Sequence, residues 1–172
     1  MGDLLRYLGF NKVAEGKERA NREAELKKRI YEHLMLREGV RNVVYKDSLG
    51  YPTGGVGHLI LPVDNLNVGD NIPTDTIQRW LVEDTQKAYN AAVQQAKEIG
   101  IETDDFILAL TSVNFQLGTN WTKKFRTSYP NLVKGRWKQA IVGFKGSLWN
   151  KQTPVRVKDF VEAIELAFTD IQ

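Results

Sequence analysis

Residues 38–60 read Glu-Gly-Val-Arg-Asn-Val-Val-Tyr-Lys-Asp-Ser-Leu-Gly-Tyr-Pro-Thr-Gly-Gly-Val-Gly-His-Leu-Ile. Glu38 closes an amphipathic helical pattern, and Gly39 is a helix stop. Val43, Val44 and Tyr45 are strand formers, and Asp47-Ser48-Leu49-Gly50 is turn chemistry. Tyr51 to Ile60 returns as a second strand, whose glycines at 54, 55 and 57 mark bulges or the close approach of another group. The stretch therefore predicts a helix end followed by a hairpin. It carries two carboxylates and a threonine, Glu38, Asp47 and Thr53, with eight and then five residues between them.

Two carboxylates facing a sugar can divide the work of glycoside cleavage. One gives a proton to the leaving oxygen, and the other activates water or stabilises the cation. Their surroundings must differ for both to function at one pH. A glutamate at a helix end can be partly buried, whereas an aspartate at a hairpin turn sits in a wetter, hydrogen-bonded place. That contrast predicts Glu38 as acid and Asp47 as base, with the Thr53 hydroxyl holding a water for Asp47. On residue types alone the same three read first as a helix-end charge, a turn former and a strand filler.

Upstream, residues 17–37 read as a charged helix whose apolar stripe is Leu26, Ile30, Leu34 and Met35. Glu18 precedes Arg22 and Glu25 precedes Arg29, the favourable order for ion pairs one turn apart. Residues 1–16 read as a separate unit, with Leu4, Leu5, Leu8 and Phe10 on one face and Gly9 and Gly16 interrupting it. The unit is either a helix packed on the body or a docking segment for a membrane surface or a partner.

Downstream, residues 61–73 read as loop with room for a third short strand. Thr74 is placed to cap a long helix that Gly100 ends. A second helix starts from the Thr103 cap, with Asp104 and Asp105 in its first turn. Its apolar positions Phe106, Ile107, Leu110, Val113 and Leu117 predict a buried centre. Shorter helical pieces follow around 122–134 and 136–145. The last helix starts at Thr153-Pro154, a cap and then proline at the first helical position.

The 172 residues suffice for one domain or two small lobes with a real core. Hydrophobic content of 42% and charged content of 26% are those of a soluble globular protein. A net charge of +3 is too small to argue for nucleic acid, though it suits an anionic polymer such as a bacterial wall. There is no cysteine, so neither disulfides nor cysteine-held metal enter. With only His33 and His58, a histidine metal site is not expected. No segment has the length of a membrane span or the pattern of a signal peptide, so membrane insertion and export on a leader are not expected.

The run Glu38-Gly39-x-Arg41…Tyr45-Lys46-Asp47-x-x-Gly50-Tyr51-x-Thr53-x-Gly55-x-Gly57-His58-Leu59 resembles phage-type lysozymes, the muramidase family of the T-even coliphage enzyme. Two distant blocks agree in order: Asn114-Phe115-Gln116-Leu117-Gly118, and Ser147-Leu148-Trp149-Asn150-Lys151-Gln152-Thr153-Pro154-x-Arg156. The resemblance implies an α+β, lysozyme-like fold. A small β-hairpin lobe (about residues 40–73) and a larger helical lobe (100–172) are joined by a long helix (74–99), with a cleft between them. Residues 26–172 form this domain, and residues 1–25 an extension with no counterpart in the shortest family members.

The resemblance also implies an activity: hydrolysis, with inversion, of the β-1,4 bond between N-acetylmuramic acid and N-acetylglucosamine in peptidoglycan, without cofactor or metal. Glu38 matches the general acid, Asp47 the water-activating carboxylate and Thr53 the residue that helps place the water. Arg156 matches an arginine that pairs with the catalytic glutamate. Leu59, Phe115 and Ser128 match sugar-contacting positions, His58 is expected to hold the hairpin, and Trp149 to be core. Three positions depart from the pattern. Gly54 replaces a bulky apolar residue, which predicts a looser second strand; Gly143 removes a substrate-binding asparagine; Leu148 replaces an arginine.

The expected setting is a monomer acting on peptidoglycan glycan strands. It would be held in the host cytoplasm until holin-dependent release to the wall. The alternatives are a virion or tail enzyme used in infection, with residues 1–25 as the dock, a lytic transglycosylase, and a non-catalytic wall-binding module.

Overall fold

In the computed structural model, residues 2–170 are described, with their side chains from Glu15 onward. The chain begins with one helix, α1 (Gly2–Glu38), about 55 Å long at 1.5 Å per residue. Gly9 and Gly16 do not interrupt it, contrary to the sequence expectation. Glycine in a helix interior costs about 1 kcal/mol, and a run of charged helix formers follows. The stripe Leu4, Leu5, Leu8 and Phe10 lies outside the residues whose side chains are described. From Glu15 to Glu25 every residue is exposed, and from there Leu26, Ile30 and Leu34 are buried in the body.

Arg22 and Arg29 do not pair with Glu18 and Glu25. They reach across to the first turn of α3 (Asp104–Leu117), where Arg22 meets Asp104 at 2.8 Å and Arg29 meets Asp105. Those aspartates already favour a helix N-terminus, so each pair serves both elements. Glu23 and Lys27 make a one-turn pair within α1.

The second lobe is a three-stranded antiparallel sheet in the order β1 (Arg41–Lys46), β2 (Pro52–Gly55), β3 (His58–Leu59). The expected second strand is thus two, folded at Val56-Gly57. Gly57 takes φ +69°, which a side chain would resist. Thr53 lies opposite Tyr45 on one side and Leu59 on the other. Residues 61–73, read as loop with room for a third short strand, hold a 3-10 turn (Pro62–Asp64) and a single bridge, Val43 to Asn71.

The helix α2 (Thr74–Ile99) joins the lobes. Pro73 occupies its cap position and Thr74 is its first helical residue, so the expected threonine cap is absent. Ile77 and Trp80 join Val44, Val56, Ile60 and Ile72 in a small core beneath the sheet. Ala92, Ala96 and Ile99, further along the same helix, enter the large helical core. Two separate cores on one helix make the two lobes, as expected.

The helical lobe continues with α3, α4 (Trp121–Lys124), α5 (Ser128–Val133), α6 (Trp137–Lys145), α7 (Leu148–Gln152) and α8 (Pro154–Thr169). Trp121 is fully buried and ringed by Phe125, Tyr129, Phe144 and Phe160. Thr103 caps α3 through its side chain, which accepts from the Phe106 amide. Thr153 does not cap α8: its hydroxyl donates to Trp149 O and accepts from Gln116. Trp149, the expected core residue, is buried and donates to the Gln116 side chain. The two distant sequence blocks thus satisfy each other's polar groups, as buried polar groups must.

Candidate active site

Glu38 is the last residue of α1, held where three elements meet. Arg156, in the first turn of α8, puts Nη1 2.5 Å from Glu38 Oε1. Its Nη2 donates to Ser112 O at 3.0 Å and to Ser112 Oγ at 2.9 Å, both on α3. A cation at a helix start is disfavoured by the dipole, and the carboxylate and two serine oxygens answer that charge locally. The other carboxylate oxygen of Glu38 faces the β2–β3 turn. A Cβ built on Gly57 would lie 3.3 Å from Oε2. Glycine at that position lets the sheet close on Glu38.

Asp47 is shaped by its own turn. Its Oδ1 accepts from the amides of Leu49 and Tyr51, each at 2.8 Å. Its amide donates to Tyr51 O, and Gly50 N donates to Asp47 O. The aspartate is thereby an Asx turn, with Oδ2 left without a protein partner among the described residues. Thr53 is buried, and its hydroxyl donates to Tyr51 O at 3.1 Å. The Tyr51 peptide therefore links the two: its amide holds Asp47 and its carbonyl orients Thr53. With its proton so used, Thr53 Oγ1 presents lone pairs as acceptors.

Gly54 does not loosen the strand. A Cβ there would stand 2.3 Å from Ile72 Cδ1, so isoleucine occupies the room that a side chain on Gly54 would need. The strand is filled from the opposite side, and Thr53 beside it is firmly packed.

His58 ties the sheet to α2. Nδ1 is 2.6 Å from Asp84 and Nε2 3.5 Å from Asp64, while the ring stacks on Trp80 at 4.2 Å. Burial pulls the imidazolium down, but the bond to Asp84 and the charges of Asp84 and Asp64 outweigh it and raise its pKa above the ordinary value.

The remaining expected residues separate. Leu59 is 48% exposed beside Thr53. Phe115 is partly buried and packs against both cores, at the junction of the lobes. Ser128 is buried in α5, its Oγ filling the space where a Cβ on Gly143 would sit. Its hydroxyl is part of the α5–α6 packing rather than of an exposed cleft wall. Ser112 and Asp84 were not singled out from the sequence and had no local signal, whereas Gly57 had one, as a glycine within a strand pattern.

The phage lysozyme family model matches residues 36–162 of the chain. The chain belongs to the phage lysozyme family. Among its relatives is the peptidoglycan hydrolase gp36 of Pseudomonas phage phiKMV, 33% identical over 126 residues, covering 73% of this chain and 14% of that protein. The probable T4-type lysozyme 1 of Dictyostelium discoideum is 25% identical over 159 residues, covering 79% of this chain and 93% of that one. The pre-baseplate central spike protein Gp5 of Enterobacteria phage T4 is 29% identical over 140 residues, covering 69% of this chain and 24% of that one. The chain thus spans nearly the whole of one family relative and a small part of two others.

Proposed function

We propose that the chain is a muramidase that hydrolyses the β-1,4 bond between N-acetylmuramic acid and N-acetylglucosamine in peptidoglycan. Membership of the family supports this. So does the way Arg156 holds one carboxylate at the lobe junction while a turn pins the other. In this reading the Glu38 carboxyl gives its proton to the glycosidic oxygen as the C1–O bond breaks. A water donates one hydrogen to Asp47 Oδ2 and the other to Thr53 Oγ1, which leaves its lone pair for C1. The proton passes to Asp47, and attack from the face opposite the leaving group inverts the anomeric centre.

Glu38→Gln tests the assignment in a turbidity assay on Gram-negative cells stripped of their outer membrane. General acid catalysis contributes roughly 100-fold or more, so wall clearing should fall at least that far with folding intact. Undiminished clearing would overturn the role of Glu38. Products carrying 1,6-anhydro ends would instead make the enzyme a lytic transglycosylase.

The setting we propose is host lysis, with the chain reaching the wall from the cytoplasm by holin-dependent release. The T4 relative, a pre-baseplate central spike protein of which this chain matches a small part, supports a second setting, a particle-borne enzyme used in infection. Recovery of the protein from purified particles would decide for the second.

A further inference from the structure

Ser112 Oγ stands between two groups. Arg156 Nη2 donates to it at 2.9 Å, and His33 Nε2 lies 3.1 Å away. A serine hydroxyl has one proton and two lone pairs. Arg156 occupies one lone pair, so the proton is free to go to an acceptor, and His33 Nε2 is within reach when that nitrogen is bare. His33 lies on α1 five residues before Glu38, so the helix that carries the acid also carries the group that anchors the acid's partner.

We propose that His33 is a positioning residue for the acid: while uncharged, its Nε2 accepts a hydrogen bond from the Ser112 hydroxyl and fixes that oxygen as the acceptor that locks Arg156 onto Glu38. The inference rests on Glu38 acting as the acid.

Burial, more than the charged groups that face it, favours the uncharged His33 ring. From its own helix come Arg37 and Glu38, and from α8 come Arg156 and Asp159. Asp105 of α3 lines the same cavity. Burial pushes the His33 pKa below the ordinary value; Asp159 and Glu38 oppose this, and Arg156 and Arg37 reinforce it. Asp159 is occupied by Arg37, whose Nε and Nη2 meet its two oxygens at 2.7 and 2.8 Å. Glu38 is occupied by Arg156.

Protonation reverses the arrangement. Nε2 becomes a donor aimed at Ser112 Oγ, the serine proton loses its acceptor, and a new cation faces Arg156. A cavity of about 130 Å³ beside His33, Ser112, Arg156, Trp149 and Phe160 gives the side chains room to rearrange. The result is an acid that is present but no longer held in register, and activity that drops in mild acid for a reason outside the two carboxylates.

The test compares wild type, His33→Gln and His33→Leu as full-length proteins, using soluble glycan-strand fragments across pH 4.5–8. Glutamine places a carbonyl near the Nε2 position and does not titrate. It should keep at least about a third of wild-type kcat at neutral pH, and its acid limb should move to lower pH than that of wild type. Leucine offers no acceptor. Its kcat should fall about tenfold with KM nearly unchanged, since sugar contacts lie elsewhere. Thermal unfolding of each variant separates this from loss of fold. In wild type, the ring titration of His33 followed by NMR should coincide with the inflection that glutamine shifts.

Identical acid limbs in wild type and His33→Gln, or a ring titration away from that inflection, would overturn the role of His33 while leaving Glu38 untouched. Retained activity in Glu38→Gln would instead remove the reading on which the inference rests.

Discussion

Gly54→Ala should destabilise this protein although alanine is the smallest side chain that can be added. The added Cβ would meet Ile72 Cδ1 at 2.3 Å, far inside contact, and the next atoms, Ile60 Cδ1 and Ile72 Cγ1, at an ordinary 3.6 Å. One methyl group is therefore in the way. Ile72 is 4% exposed within a six-residue core, so it must shift against packed neighbours. Overpacking of this kind costs about 2 kcal/mol, a fall in melting temperature of roughly 4–8 °C for a chain of this size. Ile72→Val removes the obstructing methyl and by itself costs about 1 kcal/mol. Combined, the alanine methyl enters the space that the isoleucine methyl has left, so the double variant should lose about 1 kcal/mol instead of the sum of about 3. The coupling of about 2 kcal/mol stands well outside the 0.3–0.5 kcal/mol expected for independent sites. Urea unfolding of the four proteins gives it directly, provided the denaturant slopes agree. Additive losses, or a neutral Gly54→Ala, would refute the argument that Ile72 fills the strand.

The pairing of His58 with Asp84 predicts a pH-dependent loss. The His58 pKa is raised in the fold, so the folded state holds the proton more tightly than the unfolded chain. The resulting stability is fully present below the unfolded value near 6.5 and is lost as pH rises through the folded value. Asp84→Asn should cost about 1.5 kcal/mol at pH 5.5 and less than half of that at pH 9, measured by thermal unfolding; an equal cost at both pH values would contradict the sign. Arg156→Lys should lower kcat at least about tenfold, or about 1.4 kcal/mol, because one ammonium cannot span Glu38 Oε1 and both Ser112 oxygens. Steady-state kinetics check this, and a wild-type kcat would show that the fork is dispensable.

Most of the two-lobed plan was legible because it rests on local signals. The Thr103 cap, Gly39, Gly100 and Pro154 each act within one turn of chain, and they marked helix ends that the structure has. The Asp47 turn was legible for the same reason. Much of what failed was decided by distant partners. Arg22 and Arg29 had glutamates one turn away but found Asp104 and Asp105. Thr153 sat in a cap position, but Gln116 and Trp149 O took its hydroxyl. Gly54 looked like a missing side chain because Ile72, eighteen residues on, could not be seen to fill it. The resemblance to lysozymes carried the site for a related reason: it supplied the meeting of Glu38 with Arg156, 118 residues apart, which no local pattern contains. It did not supply His33 and Ser112, because the blocks that carry it include neither residue.

The two carboxylates are held by different kinds of structure, and this bears on how their separation is kept. Glu38 is gripped by Arg156 of the helical lobe and touched by the Gly57 turn of the sheet, so its position refers to both lobes. Asp47 refers only to its own turn, through Leu49 and Tyr51. That turn hangs from β1 and β2, which reach the rest of the molecule through the small core on Ile77 and Trp80 of α2. His58 fixes the same contact, stacked on Trp80 and bonded to Asp84 four residues further along the helix. A shift of the sheet on α2 would therefore carry Asp47 and Thr53 together, because the Tyr51 peptide joins them, while Arg156 retains Glu38. Asp47 and Thr53 keep their spacing under such a motion, and their distance from Glu38 does not stay fixed. The group that controls that distance is then the His58–Trp80–Asp84 contact, which touches neither carboxylate.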